Sequence, residues 1–212
     1  LSGSRCAADE TAIDCGKVLV VGGSDNDAIH DCEQVGRSVE LYDPKTNLWI
    51  EKDPLPPAQA YNSPLTTPLA DGRVLLVGRR SKVGSSPEQC RGPNISWAEV
   101  YDPIAARWTV VPDAPPFGGT QQGVGELTLL KDGRVLVVPG DDNSIPAIFD
   151  PARMNWKPTG ACACVGVQGA KLTSLEDGRV LMEGGLDPVT HFGTNRAAIF
   201  DPADDSWTPI SQ

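Results

Sequence analysis

Short apolar runs recur along the chain, each preceded by a turn signal and closed by glycine or proline. They read Val18-Leu19-Val20-Val21, Val74-Leu75-Leu76-Val77, Val135-Leu136-Val137-Val138 and Val180-Leu181-Met182. Runs of this length and β-branched content predict strands buried on both faces. Ahead of each stands a glycine (Gly16, Gly72, Gly133, Gly178) followed by a basic residue. Five positions before each glycine is a threonine (Thr11, Thr67, Thr128, Thr173), and three before is Ile13, Leu69, Leu130 or Leu175. Residues two apart share one face of a strand, so this stretch predicts a preceding strand. Asp-Gly, or a pair like it, joins the two strands as a tight hairpin.

A second phrase follows the first. An apolar stretch such as "VELY" or "AAIF" ends in Asp-Pro, and a tryptophan lies five residues beyond the proline: Trp49, Trp108, Trp156 and Trp207. Proline cannot donate to a ladder and sits at strand ends, so each phrase predicts a third strand, a four-residue turn and a short outer strand. A helical period of 3.6 appears nowhere. The chain is four copies of one four-stranded unit.

Four-stranded antiparallel units repeated around an axis form a β-propeller. The two phrases together resemble the kelch repeat, most closely its "DGRVLVVGG…AEVYDPxxxxW" form in extracellular and bacterial proteins, over essentially the whole chain. The resemblance implies an all-β fold: a β-propeller of four kelch-type four-stranded antiparallel blades. One domain, 1–212, is expected, with blades at about 1–55, 56–115, 116–160 and 161–212. Gly78-Arg79 and Pro139-Gly140 depart from the Gly-Gly that the family carries, so those turns are expected to differ. The repeated Gly, Asp-Pro and Trp residues specify fold. No strand is left over as a clasp, and the residues eight before each registered glycine (Ala8, Pro64, Gly125, Ala170) are small, as a narrow axis requires. A ring of four closed blades is the favoured expectation, ahead of assembly into a larger propeller.

Composition narrows the partners. The 212 residues carry 18 basic and 28 acidic side chains, a net charge of −10 with no basic run. Nucleic acid and anionic membrane surfaces are therefore not expected partners, and no apolar stretch predicts membrane insertion. The chain opens at Leu1 rather than methionine, which fits a processed mature chain or a trimmed one. None of the six cysteines falls on a repeat position, and Cys162-Ala163-Cys164 is too sparse for a zinc site. They read as disulfides in an oxidising compartment, hence an extracellular, secreted protein. Asn94-Ile95-Ser96 is an N-glycosylation acceptor that agrees with this.

Function is expected on loops. The third unit is the shortest, and the other three carry insertions between strands 2 and 3: "SDNDAIHDCEQVGRS", "RSKVGSSPEQCRGPNISW" and "LDPVTHFGTNR". Loops on a rigid scaffold concentrate binding residues. Candidate ligand-binding residues there are Trp97, His30, His191, Asp25, Asp27 and Arg79, with Trp97 the expected anchor. The acidic string Asp25, Asp27, Asp31 lacks the glycine and terminal glutamate of an EF-hand; calcium is the one ion it leaves open, and no other cofactor or metal is expected.

Copper-radical oxidases similar to galactose oxidase also carry kelch blades, and their chemistry uses two tyrosines, two histidines and a cysteine. Here Tyr42 and Tyr101 belong to the repeat, which leaves Tyr61 alone, and no hydrolase or metalloprotease motif is present. A pair of carboxylates contributed by distant loops stays open. The sequence thus favours a non-catalytic binding or structural module for a protein or glycan ligand. The rival is a sugar-processing or oxidase-type enzyme, or a fragment of a larger kelch enzyme.

The cysteines yield a direct test. Cys32 and Cys90, in equivalent insertions of adjacent blades, are expected to pair, and Cys6 is expected to bond Cys162 or Cys164. Cys15, on the opposite face, is left for a covalent partner or a homo-oligomer. Peptide mapping without reduction should recover the Cys32–Cys90 linkage; Cys32 found as a free thiol rejects it.

Overall fold

The computed structural model describes residues 6–13, 16–24, 38–55, 61–80, 95–113, 124–140, 145–160, 169–187 and 190–210. Four sheets account for every named strand. The first contains β1 (Cys6–Ala12), β2 (Val18–Ser24), β3 (Val39–Asp43) and β4 (Leu48–Glu51). The second contains β5 (Tyr61–Pro68), β6 (Val74–Arg80), β7 (Ile95–Asp102) and β8 (Arg107–Val110). The third contains β9 (Val124–Leu129), β10 (Val135–Pro139), β11 (Ala147–Asp150) and β12 (Asn155–Pro158). The fourth contains β13 (Lys171–Ser174), β14 (Val180–Glu183), β15 (Ala197–Asp201) and β16 (Ser206–Ile210). Each is an antiparallel meander in chain order, the arrangement that the repeat predicts.

The 1–2 hairpins show why the registered glycines recur. In the second blade the Gly72 amide donates to the Leu69 carbonyl at 3.0 Å, and the Leu69 amide to the Arg73 carbonyl at 2.7 Å. That is a type I turn completed by a left-handed residue, and Gly72 has φ +85°. Asp71 secures the turn by accepting the Arg73 amide at 3.1 Å and its Nε at 2.9 Å. The same pair of bonds joins Asp132 to Arg134 and Asp177 to Arg179. In these three blades the basic residue after the glycine is thus a clamp on its own turn, whereas Lys17 in the first blade pairs with Asp43 instead.

The 3–4 turns explain the Asp-Pro and the tryptophan together. Asp102 Oδ1 accepts the amides of Ile104 and Ala105, both at 2.9 Å, while proline supplies the fixed φ of the turn's first central position. Asp43, Asp150 and Asp201 accept equivalent amides. The turn sets a register in which Tyr42 faces Trp49, Tyr101 faces Trp108, Phe149 faces Trp156 and Phe200 faces Trp207. Ring centroids in these pairs lie 4.8–5.0 Å apart, tilted. Such pairs contribute about 0.5–1.5 kcal/mol beyond the area they bury.

Two compact units emerge, Leu1–Val111 with the first two blades and Pro112–Gln212 with the last two. In the first unit Leu19, Val21, Val39 and Leu41 pack with Val74, Leu76 and Tyr101. In the second, Leu136, Val138 and Ile148 pack with Val180, Met182, Ala198 and Phe200. The β6 and β10 cores are buried on both faces, as predicted, whereas Leu181 on β14 is only half-buried. Glu40 and Glu99 are buried in the first unit, where the second has Ala147 and Ala198 at the same strand position.

Strand ends do not follow the departures from Gly-Gly: β2, with Gly22-Gly23, runs to Ser24, the counterpart of Arg80, while β14, with Gly184-Gly185, stops at Glu183. β6 continues through Gly78 and Arg79 to Arg80, while β10 stops at Pro139 in a register shift. Gly125 is small for a local reason: a Cβ there would stand 2.9 Å from the Val138 carbonyl oxygen. Pro64 likewise lies within a register shift of β5 on β6. The demand for a small residue at position 125 therefore arises inside its own blade.

One contact between inner strands titrates. Asp9 on β1 accepts the backbone amide of Thr66 on β5 and, at 2.6 Å, its hydroxyl. Burial raises the Asp9 pKa above its usual value, and the bonds from Thr66 offset this only in part. The stability linked to this group is complete below the ordinary carboxylate pKa and is lost as pH rises through the raised one. Asp9→Asn keeps an acceptor for Thr66 and does not ionise. Its melting temperature relative to wild type should climb between about pH 3 and pH 7; a difference that falls over that range contradicts the assignment.

Candidate functional site

Only one of the three insertions, the connection between β14 and β15, lies largely among the described residues. Gly184 and Gly185, at φ +72° and +90°, carry the chain out of β14. The hairpin then continues outward: the Gly184 amide donates to the Arg196 carbonyl at 3.0 Å and the Thr194 amide to the Gly185 carbonyl at 2.8 Å. Leu186 bridges Gly193, and the Asp187 amide donates to the Phe192 carbonyl at 2.9 Å.

Asp187 closes the tip. Its Oδ1 accepts the Thr190 amide at 2.9 Å and the Thr190 hydroxyl at 3.1 Å, and its Oδ2 faces Arg196 Nη2 at 3.4 Å. The His191 amide donates to the Asp187 carbonyl at 2.8 Å, with His191 itself left-handed at φ +57°. A non-glycine residue is held there only because its surroundings fix the backbone. The outcome is a preformed loop that holds Phe192 77% exposed, beside an exposed His191. Beneath it, Lys171, Glu183, Thr194, Asn195 and Arg196 line a cavity of about 430 Å³ with glycines in its wall. Lys171 also meets Glu126 of the neighbouring blade at 3.1 Å. The loop thus presents an exposed aromatic ring above a cavity that Lys171 and Arg196 line, each paired with a carboxylate. Among the described residues no three His, Cys, Asp or Glu side chains group closely enough to hold a metal ion.

The remaining candidates are placed differently. Trp97 lies on β7 opposite Gly78, half-buried and packed against the core of the first unit, its Nε1 buried without a partner among the described residues. Arg79 pairs through its backbone with Asn62 and Ser96. Cys6 pairs through its backbone with Ser24. Asp25, Asp27, His30, Asp31, Cys15, Cys32, Cys90, Asn94, Cys162 and Cys164 lie outside the described residues. Sequence reasoning noticed His191 but passed over Asp187 and Phe192. The available signal was Asp187 three residues before Thr190, the spacing of a local turn closed by side chains.

Comparison with known proteins agrees with this architecture. The family model described as Kelch motif matches residues 10–56, which span the strands of the first blade from β1 to β4. An F-box/kelch-repeat protein of Arabidopsis thaliana is 27% identical over 229 aligned positions, covering 97% of this chain and 44% of its own length. The solved structure of YjhT superposes with a TM-score of 0.66 at 15% identity, over 99% of this chain and 66% of that one. The chain thus spans less than half of the plant relative and just under two thirds of YjhT. The family model covers one blade and the other three repeat its strands, turns and aromatic pairs, so the chain carries a Kelch motif within four blades of the β-propeller type.

Proposed function

We propose that the chain is a non-catalytic interaction module that binds a protein partner through the loops joining strands 2 and 3, with the β14–β15 loop as a principal contact. The observation that carries this reading is the exposed Phe192 on a loop already fixed by Asp187. A large aromatic side chain held in place loses little conformational freedom on binding, and such residues dominate interface energies. Kelch repeats commonly mediate protein interactions, and the plant relative's name pairs them with an F-box. The reading retains secretion and disulfide pairing of the cysteines as parts of the proposal, tested by the non-reducing map above.

A peptide-display screen against the immobilised chain identifies a binder, and two variants then locate it. Phe192→Ala should weaken binding by about 2 kcal/mol, on the scale of interface anchors, without lowering the melting temperature. Asp187→Ala should weaken binding less and speed amide exchange at Thr190 and His191, because it frees the loop tip. Full affinity in Phe192→Ala, or turnover of a sugar substrate by the wild-type chain, refutes the proposal.

A further inference from the structure

Each unit contains one seam between consecutive blades, so the two seams can be compared position by position. In the second unit the seam is closed by side chains. Arg134 Nη1 donates to Asp205 Oδ1 at 3.0 Å, and its Nη2 to the Pro202 carbonyl at 2.7 Å. Lys157 Nζ reaches the other Asp205 oxygen at 2.6 Å. Burial by itself would raise the Asp205 pKa, yet the bonds from Lys157 and Arg134 hold it below the usual carboxylate range. Trp207 Nε1 donates to Thr159 Oγ1 at 3.1 Å.

The first unit keeps the proline and the tryptophan of this set, as Pro103 and Trp108, and has replaced the other four members. Lys17 stands at the Arg134 position and turns to Asp43 of its own blade at 3.2 Å. Ile50 stands for Lys157, Lys52 for Thr159 and Ala106 for Asp205. Trp108, at the Trp207 position, has a buried Nε1 with no partner among the described residues. A cavity of about 550 Å³ occupies this seam. Ile13, Leu41, Pro103 and Ile104 give it apolar walls, and Lys17, Lys52 and Arg73 bring positive charge to it. Its two carboxylates are engaged locally: Asp71 pairs with Arg73 at 2.7 Å, and Asp102 accepts the amides of its own turn. The Lys52 ammonium has no partner among the described residues. Ile104 is 97% exposed at the edge.

We propose that this cavity is a binding site for an organic anion with an apolar body, an aryl or alkyl carboxylate. Its carboxylate would sit on Lys52 and Lys17, taking the place that Asp205 fills in the other seam, and its body against Ile13, Leu41 and Ile104. The volume falls in the range of small-molecule pockets, about 300–1,000 Å³. The 1–2 and 3–4 turns that line it lie at the strand ends opposite the 2–3 loops, so the proposal stands apart from the partner-binding reading.

Naphthalene-1-acetate, with its uncharged amide as the control, tests the site by methyl NMR on the full chain. The acetate should shift the Ile13, Leu41 and Ile104 methyls saturably with a Kd below about 1 mM, and the amide should bind about tenfold or more weakly. The K17R/A106D variant rebuilds the plug of the second unit. Aspartate suits the left-handed backbone at position 106, where φ is +49°. This variant should lose binding while its other methyl signals stay in place. Lys52→Gln is the milder variant and should weaken the acetate by about tenfold, with little effect on the amide. Any one of three results overturns the proposal: no saturable shift in wild type up to about 10 mM acetate, equal affinity for the amide, or undiminished binding in either variant with its spectrum intact.

Discussion

Blade geometry in this chain depends on a carboxylate that accepts backbone amides of its own turn. Where Asp43, Asp102, Asp150 and Asp201 cap the 3–4 turn, the proline that follows has no amide to satisfy, and the next donors point back at the carboxylate. That cap fixes which residue of the outer strand lies opposite which residue of the third. A slip of one place would turn each tryptophan to the other face of its strand and separate it from its aromatic partner. The tilted ring pairs at about 5 Å are therefore downstream of the turn. The fourth and last residue of every such turn is left-handed, yet that position holds Asn47, Ala106, Met154 and Asp205 in turn. The backbone tolerates that variety because the cap and the ladder on both sides hold it.

Once register is fixed from within each blade, the seam between neighbours becomes free to vary. Arg134 and Asp205 join two blades by charge, whereas the matching seam of the first unit keeps its apolar contacts and gives up the ionic ones. Both arrangements bury a comparable set of branched side chains. Burial of aliphatic surface supplies most of the stability in each case, and partly exposed ion pairs add about 1 kcal/mol or less. This asymmetry allows a seam to exchange a structural link for an opening without unfolding the blades beside it.

The blades were legible in sequence because each signal was local. Gly72 is demanded by a positive φ and Asp71 by an amide two residues on, and Trp108 by a partner directly across the strand pair; all are set within a span of ten residues or fewer. The loop tip was legible in principle, from Asp187 and Thr190, but nothing in the sequence says that its backbone would continue the β14–β15 ladder. Trp97 illustrates the limit. Its position outside the repeat singled it out, yet the core it packs against comes from other strands and from the neighbouring blade, which no local pattern encodes. The seam cavity was hidden for a further reason: it is a difference between copies, visible only once Lys17 and Ala106 are aligned with Arg134 and Asp205 in space.

The connection between strands 2 and 3 has a kinetic consequence. Every sheet is a meander, so each blade assembles from contacts close in sequence, the condition that favours rapid, modular folding. Within that scheme the longest intervening segments are two of equal length, from Ser24 to Val39 and from Arg80 to Ile95, and the shortest runs from Pro139 to Ala147. Chain entropy charges each doubling of a closing loop about 0.6 kcal/mol. By this measure the third blade has the least costly third-strand docking, and the first and second blades must wait for a longer search. The chain's nucleus therefore belongs in the blade with the shortest connection between its second and third strands, while the longer connections delay the blades that bear them.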